Sequence, residues 1–330
     1  MKLLTHYLSK SIALFALVAV LQSCDLMQEK PGIWKDDKIA ESKRKDFHEL
    51  NDKLLKSLKD NTPDQTDFLL SKDLLENNYH KRVVELITNQ MKLSDFALDK
   101  EYYVVSKLKH GNFIQQNADS AGIAYTPIAK EMYIAFFLPK NGSDKKLLTV
   151  VYGKFDYGWK IDKLEFEPYI ANGKTSAQLY KLAQDQYAKG YLVDAINNMA
   201  LGRNCDRPSE ELPSPQNREM GILYGKMINE ANEKYKFPFV LTEIPTKPKI
   251  LRILNQAIPQ GTFPAIYYLS SISIKDTVAI KKENENVKKI IGKVIPGIDK
   301  DKDYLIYYVY DKKPSAESNS YSFDIIDKLR

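Results

Sequence analysis

Leu147-Leu148-Thr149-Val150-Val151-Tyr152-Gly153-Lys154-Phe155 leads into Asp156-Tyr157-Gly158-Trp159-Lys160-Ile161-Asp162-Lys163-Leu164-Glu165-Phe166, and this stretch decides the fold class. β-Branched and aromatic residues fill Leu147 to Tyr152, which reads as a strand. Phe155 to Trp159 reads as a tight hairpin turn, with Gly158 where positive φ is tolerated. Beyond the turn the apolar phase is Trp159 and Ile161, then Leu164 and Phe166, an odd step for a period of two. One extra residue near Asp162-Lys163, a β-bulge, puts all four on one face and bends the strand. A curved antiparallel sheet follows.

Upstream, Tyr102 to Leu108 and Met132 to Leu138 carry the same period of two. Before them the period is helical. Ile39 to Asp60 sets Phe47, Leu50, Leu54 and Leu58 at steps of three and four, with Leu55 beside them and Lys and Glu on the other faces. Thr62-Pro63-Asp64-Gln65 has the form of a capping box. Phe68, Leu69 and Leu75 continue that second helix, and Tyr79, Val83, Leu86 and Ile87 mark a third, so three helices are expected before the first strand. The class is α+β.

Downstream, Thr175 to Leu201 places Ala183, Gly190 and Ala195 at regular spacing, with Tyr187 and Tyr191 between them and Gly202 next in line. After a Pro-containing loop, Glu210 to Gln216, the run Arg218 to Tyr235 reads as one more helix. From Phe237 a second, smaller α+β module is expected. It has a short helix at Ile250, Ile253, Leu254 and Ala257, a strand Ala265 to Ile274, a helix through Val287, Ile290, Ile291 and Val294 stopping at Pro296-Gly297, and strands Tyr304 to Tyr310 and Tyr321 to Ile326.

The N-terminus is of another kind. Lys2 and Lys10 precede an eleven-residue apolar run, Ser11 to Leu21, which ends at Gln22-Ser23-Cys24. Basic flank, short apolar run and small residue before a cut describe a signal peptide, and the run falls short of the ~20 apolar residues that span a bilayer. The tetrapeptide Leu21-Gln22-Ser23-Cys24 resembles the bacterial lipobox. That resemblance implies lipid attachment at the Cys24 sulfur, cleavage before Cys24 and acylation of the new amino group, which together hold a protein firmly to a bilayer. Asp25 to Lys38, with Pro31-Gly32 and no periodicity, reads as a tether. Asp25 is similar to an inner-membrane retention signal that only some bacterial groups use, and the outer membrane is the preferred location.

Composition bounds the rest. The 330 residues are 43% hydrophobic and 28% charged, a globular composition long enough for two cores. Losing Lys2 and Lys10 with the signal takes the formal charge from +6 to +4, and no basic stripe interleaved with aromatics argues for nucleic acid. With Cys24 acylated, Cys205 is the one thiol left, so no intramolecular disulfide can form. Arg203 and Arg207 flank it and would depress its pKa, yet no His is near in sequence, and a semi-buried loop cysteine is the better reading.

No nucleotide-binding or hydrolase motif is present, and no cofactor is implied. His48, His80 and His110 stand one per segment without metal-ligand spacing. Asp299-Lys300-Asp301-Lys302-Asp303 imitates the start of a calcium loop but has Tyr304 and Tyr310 at the sixth and twelfth places, and reads as a solvated turn. Tyrosine pairs at 102-103, 267-268 and 307-308 point to both faces of their strands, one ring into the core and one outward; half-buried sheet packing is the preferred reading of the outward ring, and a glycan or protein contact face the alternative.

Helices followed by a curved sheet closing on Gly158-Trp159-Lys160-Ile161 resemble the NTF2-like superfamily over Ile39 to Tyr169. The resemblance implies a cone wrapped around a pocket, here with Tyr103, Tyr133 and Trp159 as candidate lining. The small residues of Thr175 to Leu201 resemble a single tetratricopeptide repeat and imply a helical hairpin bridging two modules. The domains are therefore read as signal peptide 1–23, lipidated tether 24–38, NTF2-like α+β domain 39–172, TPR-like bridge 173–236 and C-terminal α+β module 237–330. The leading functional expectation is a non-catalytic envelope lipoprotein binding a partner protein or an envelope polymer such as a glycan. The alternatives are a hydrolase or isomerase-type enzyme using the cone, with Asp or His as acid/base, and an accessory lipoprotein of a nutrient-uptake system.

Overall fold

The computed structural model describes residues 30–77, 79–106, 123–314 and 321–330. It is a mixed α+β protein built on two sheets. The signal peptide, Cys24, His110 and the first part of the tether lie outside the described residues.

The first sheet has six antiparallel strands in chain order: β1 (Gly32–Lys35), β2 (Phe96–Val105), β3 (Glu131–Pro139), β4 (Lys145–Phe155), β5 (Gly158–Ala171) and β6 (Lys174–Thr175). Phe155 pairs with Gly158 across the turn, and Gly158 has φ +107°. Val151 pairs with Lys163 while Tyr152 pairs with Ile161, so Asp162 is the extra residue of a bulge. Ile161, Leu164 and Phe166 consequently share one core, with Trp159 against it.

Between β1 and β2 come α1 (Glu41–Lys59), α2 (Pro63–Leu69), α3 (Lys72–Glu76) and α4 (Tyr79–Met91). The helix order departs from expectation in two places. The presumed tether contains β1, which pairs Gly32 with Val105 and Lys35 with Tyr102, so a strand precedes the helices; four residues are too few to show a period. The second helix breaks at Leu70, which bridges to Ile161, and Ser71 restarts it by accepting from Leu74 N–H. Thr62 forms no capping box: its hydroxyl turns back to the Ser57 carbonyl and to Gln65 Oε1. Such a bond appears instead at Thr175, whose N–H is accepted by Gln178 Oε1 at 2.9 Å.

The helices cover one face of this sheet through Phe47, Leu54, Leu58, Val83 and Ile87. The other face is also covered, by Ile123, Tyr125, Ile128 and Leu212 over Tyr102, Ile134, Phe136 and Val151. Both rings of the Tyr102-Tyr103 pair are thus buried, which corrects the expectation of one outward ring. The segments that cover it carry no helical or strand period and read as loops.

Three helices follow: α5 (Ser176–Ala188), α6 (Leu192–Asn204) and α7 (Asn217–Lys234). Ala183 and Ala195 are fully buried, and a Cβ on Gly202 would meet Met220 Cε at 3.1 Å and Leu179 Cβ at 3.2 Å, so the small residues let α5, α6 and α7 approach.

The second sheet runs β11 (Phe323–Lys328), β10 (Tyr304–Tyr310), β9 (Gly261–Leu269), β8 (Lys249–Ile258) and β7 (Phe239–Val240), all antiparallel except β9 with β10. Helix α8 (Thr277–Val294) is the crossover between that parallel pair. The expected helix at Ile250 to Ala257 is β8. A bulge at Leu251 brings Ile250 and Ile253 onto one face although they stand three apart, which imitates a helical step. A single hydrophobic cluster joins Leu192, Met199, Met220 and Met227 to Ile250, Tyr268, Val287 and Tyr307, so α5 to α7 and the second sheet share one core.

Candidate functional site

Tyr103, Tyr133 and Trp159 are brought together, around Phe47 of α1. The Phe47 ring stacks on Tyr133 at 4.2 Å and 8°, tilts against Tyr103 at 5.3 Å and meets Trp159 edge-on at 5.2 Å. Phe47, Tyr103 and Tyr133 are buried. The Phe47 side chain thus lies between the three expected residues, in contact with each of their rings.

Around this aromatic group lie two carboxylates that sequence reading passed over. Glu101, on β2, is buried and accepts from Arg44 Nε at 2.7 Å and from the Tyr133 hydroxyl at 2.8 Å, and His48 Nε2 lies 3.0 Å and 3.1 Å from its two oxygens. Asn51 Nδ2 donates to the Tyr133 hydroxyl at 2.6 Å. Glu131, on β3, accepts from Tyr103 at 2.6 Å, Lys154 at 2.7 Å and Lys43 at 3.0 Å. Burial works against its charge, but the bonds from Lys154, Tyr103 and Lys43 outweigh that and pull its carboxyl down to about 2. No local pattern announces these networks, because their members stand 23 to 88 residues apart.

The largest cavity described, about 810 Å³, lies on the other face of the first sheet, between β5 and the loop Arg207 to Pro215, with Ile123 to Thr126 as a third wall. The loop is held there by Ala124 N–H donating to the Glu211 carbonyl at 2.9 Å and Lys163 Nζ donating to Glu210 at 2.6 Å and Glu211 at 2.8 Å. Ser209 donates to Glu211 at 2.6 Å. Burial tends to lower the Lys163 ammonium, and the charges and bonds of Glu211 and Glu210 more than reverse this, leaving it raised.

Glu165 is the odd member. Its Oε2 is buried without a hydrogen-bond partner among the described residues. Burial first, and then repulsion from Glu211, push its carboxyl up to about 7 against the pull of Lys163 and of a side-chain hydrogen bond from Ser209. Glu165, Glu167, Glu210 and Glu211 face Lys163 and Arg207 in the cavity wall, so negative groups outnumber positive ones. Such a wall accepts hydrogen bonds from an amine or guanidinium, and Glu165 gains or loses a proton near neutrality. Lys163, Glu165 and Glu167 alternate with Leu164 and Phe166, the sequence signature of a solvent face; the covering loop converts that face into a cavity wall.

The remaining chemistry-bearing residues stand elsewhere. Cys205 is buried beside Leu179 and Ala171, and burial, with Asp144 adding to it, pushes its thiol up to about 11. This reverses the expected effect of its arginines, one of which, Arg203, lies over the Tyr224 ring. His80 is buried, with Nδ1 2.6 Å from the Asn77 carbonyl. The Asp299–Asp303 run holds no solvated turn at Lys302: its Nζ donates to Asp194 Oδ2 at 2.9 Å and to the carbonyls of Gly297, Ile298 and Lys300. Among the described residues no group of three or more His, Cys, Asp or Glu could hold a metal ion, and no helix is long and apolar enough to cross a membrane.

Compared with known proteins, the chain matches no family model, no curated protein and no solved structure.

Proposed function

We propose that this protein is a non-catalytic lipoprotein of the cell envelope, carried on acylated Cys24 in the outer membrane, that binds a partner through the cavity between β5 and residues 207–215. The NTF2-like reading of the first sheet and the tetratricopeptide-like reading of α5 and α6 belong to this proposal as its scaffold. The observation that carries it is the unpartnered, buried Glu165 oxygen in a cavity of about 810 Å³. Lys163 is already engaged by Glu210 and Glu211, which leaves Glu165, Glu167 and Arg207 to meet a ligand, two acidic groups against one basic. A Lys or Arg side chain of a partner protein satisfies the two acidic groups, and an amine-bearing envelope polymer has the same donor chemistry.

The experiment is capture from detergent-solubilised envelopes by the immobilised chain 24–330, beside a Glu165→Gln, Glu167→Gln variant. A partner retained by the parent and lost by the variant supports the reading. Equal capture by both removes the cavity from it, and no specific capture overturns the binding role. Acyl labelling of the precursor tests the anchor: Cys24→Ser abolishes label and cleavage, and unchanged labelling refutes it.

The enzyme alternative has one observation in its favour. His48 is oriented by buried Glu101 and half-exposed beside Arg44, the arrangement of a positioned general base. Hydrolysis of activated esters that His48→Ala and Glu101→Gln each abolish, with folding intact, would select it. The nutrient-uptake reading gains no observation from the fold.

A further inference from the structure

Exposed aromatic rings gather at one end of the first sheet. Phe68, at the end of α2, is 75% exposed, and Tyr157, at the tip of the β4–β5 turn, is 47% exposed. The Tyr157 ring stacks on Phe155 at 5.3 Å, Lys72 Nζ lies 5.2 Å from the Tyr157 ring centre, and Lys160 Nζ lies 4.1 Å from that of Phe68. The Leu70 to Ile161 bridge fixes α2 beside β5, so Phe68 and Tyr157 form one patch.

The chain enters the fold at this same end. Gly32 pairs with Val105 and Val105 with Glu131; Lys154, bonded to Glu131, pairs with Trp159. Gly32 and Trp159 therefore lie on one rung, four strand spacings or roughly 19 Å apart. Eight residue steps separate Cys24 from Gly32, a reach of at most about 29 Å. The second sheet is attached at the opposite end, where Thr262 bonds Asn172 and Asp144, and Ser143 bonds Gln260.

We infer that the Phe68–Tyr157 end of the first sheet docks on the phospholipid headgroup layer in which Cys24 is anchored, holding the second module away from the membrane. This inference rests on the reading of Cys24 as the lipid site. A leash this short confines the patch to the neighbourhood of the bilayer. Exposed Phe and Tyr rings with lysine stems laid over them suit an interface that is apolar on one side and wet on the other. Lys72 and Lys160 are accompanied by Asp67, Asp73 and Asp156, so charge nearly cancels and contact rests on the rings. The occupant is thus a phospholipid surface of either charge type and not specifically an anionic one.

The test couples the chain 24–330 through Cys24 to maleimide-bearing lipid in phosphatidylcholine vesicles, with brominated acyl chains as quencher. Two variants, Phe68→Trp and Leu254→Trp, are read as increments over the parent, whose Trp34 and Trp159 are common to both; Leu254 is an exposed residue of the second sheet. At least threefold greater quenching at Phe68→Trp is expected. Equal increments, or a Phe68→Trp signal untouched by bromolipid, overturn the docking. The thioether anchor is supplied chemically, so this outcome is independent of whether cells acylate Cys24, which the labelling of Cys24→Ser decides separately.

Discussion

The Phe47 and Tyr133 rings lie 4.2 Å apart and 8° from parallel, so α1 packs face to face against the first sheet at this point. Both rings are buried, and Tyr103 and Trp159 close on the same side chain. Phe47→Ala leaves a void among three aromatic side chains. The expected loss is about 3–5 kcal/mol of unfolding free energy by urea titration, and Phe47→Leu costs less than half of that. A loss under about 1 kcal/mol would mean that the rings repack and that Phe47 is no keystone.

Gly158 holds φ +107° directly after the two-residue turn Asp156-Tyr157, with nothing within 4 Å of a would-be Cβ, so a substitution there meets backbone strain and no clash. Gly158→Ala is expected to cost about 1–2 kcal/mol. Deleting Asp162 acts differently, because it removes the bulge and turns either Trp159 and Ile161 or Leu164 and Phe166 to the wrong face. It is expected to prevent cooperative unfolding altogether, and a deletion variant with a normal transition refutes the role given to the bulge.

Those two residues mark what the sequence makes legible. Turn chemistry and an odd apolar step are local signals, and the hairpin and the bulge follow from them. Strand β8 was illegible for the same reason that β5 was legible: a bulge at Leu251 shifts the apolar phase, and without a glycine turn before it three-residue spacing looks helical. The candidate site was hidden by distance. Lys163, Glu165 and Glu167 show a solvent-face alternation that only the loop 207–215, some forty residues later, contradicts. Glu101 and Glu131 likewise have partners on α1 that no spacing rule connects.

Lys302 and Asp194 are a buried pair 2.9 Å apart, with three carbonyls around the ammonium. Burial, partly offset by Lys302, raises the Asp194 carboxyl to about 6. Removing one partner leaves the other charge or the carbonyls unpaired, and Lys302→Met is expected to cost about 3–5 kcal/mol. A double-mutant cycle with Asp194→Asn should show the two losses to be strongly non-additive. Additive losses would show that the pair is not coupled.

Glu165 and Glu131 give stability opposite pH dependences. The folded Glu165 carboxyl, at about 7, keeps its proton between 4.5 and 7 where the unfolded one has lost it. Its favourable contribution is therefore present below 4.5 and lost as pH climbs through 7. Glu165→Gln should match the parent near pH 4.5 and exceed it by about 1–2 kcal/mol at pH 8, an amount reduced from the full shift for partial exposure. Glu131, held at about 2, contributes above 4.5 and loses its contribution as pH falls toward 2. Glu131→Gln should cost about 2 kcal/mol at pH 7 and progressively less in acid. Parallel pH profiles for the two variants would contradict both assignments.

Cys205 is buried, and burial with the nearby Asp144 pushes its thiol up to about 11 from an ordinary value of 9.0. Two pH units mean about a hundredfold less thiolate at neutral pH, before restricted access is counted. In the chain 24–330 carrying Cys24→Ser, iodoacetamide should leave Cys205 unmodified under native conditions and alkylate it fully in urea. Native alkylation at the rate of a free thiol would show that the segment around Gly202 to Pro208 opens readily. Silence at Cys205 makes Cys24 the one thiol that a maleimide lipid can address, which is the condition that anchoring the body to vesicles requires.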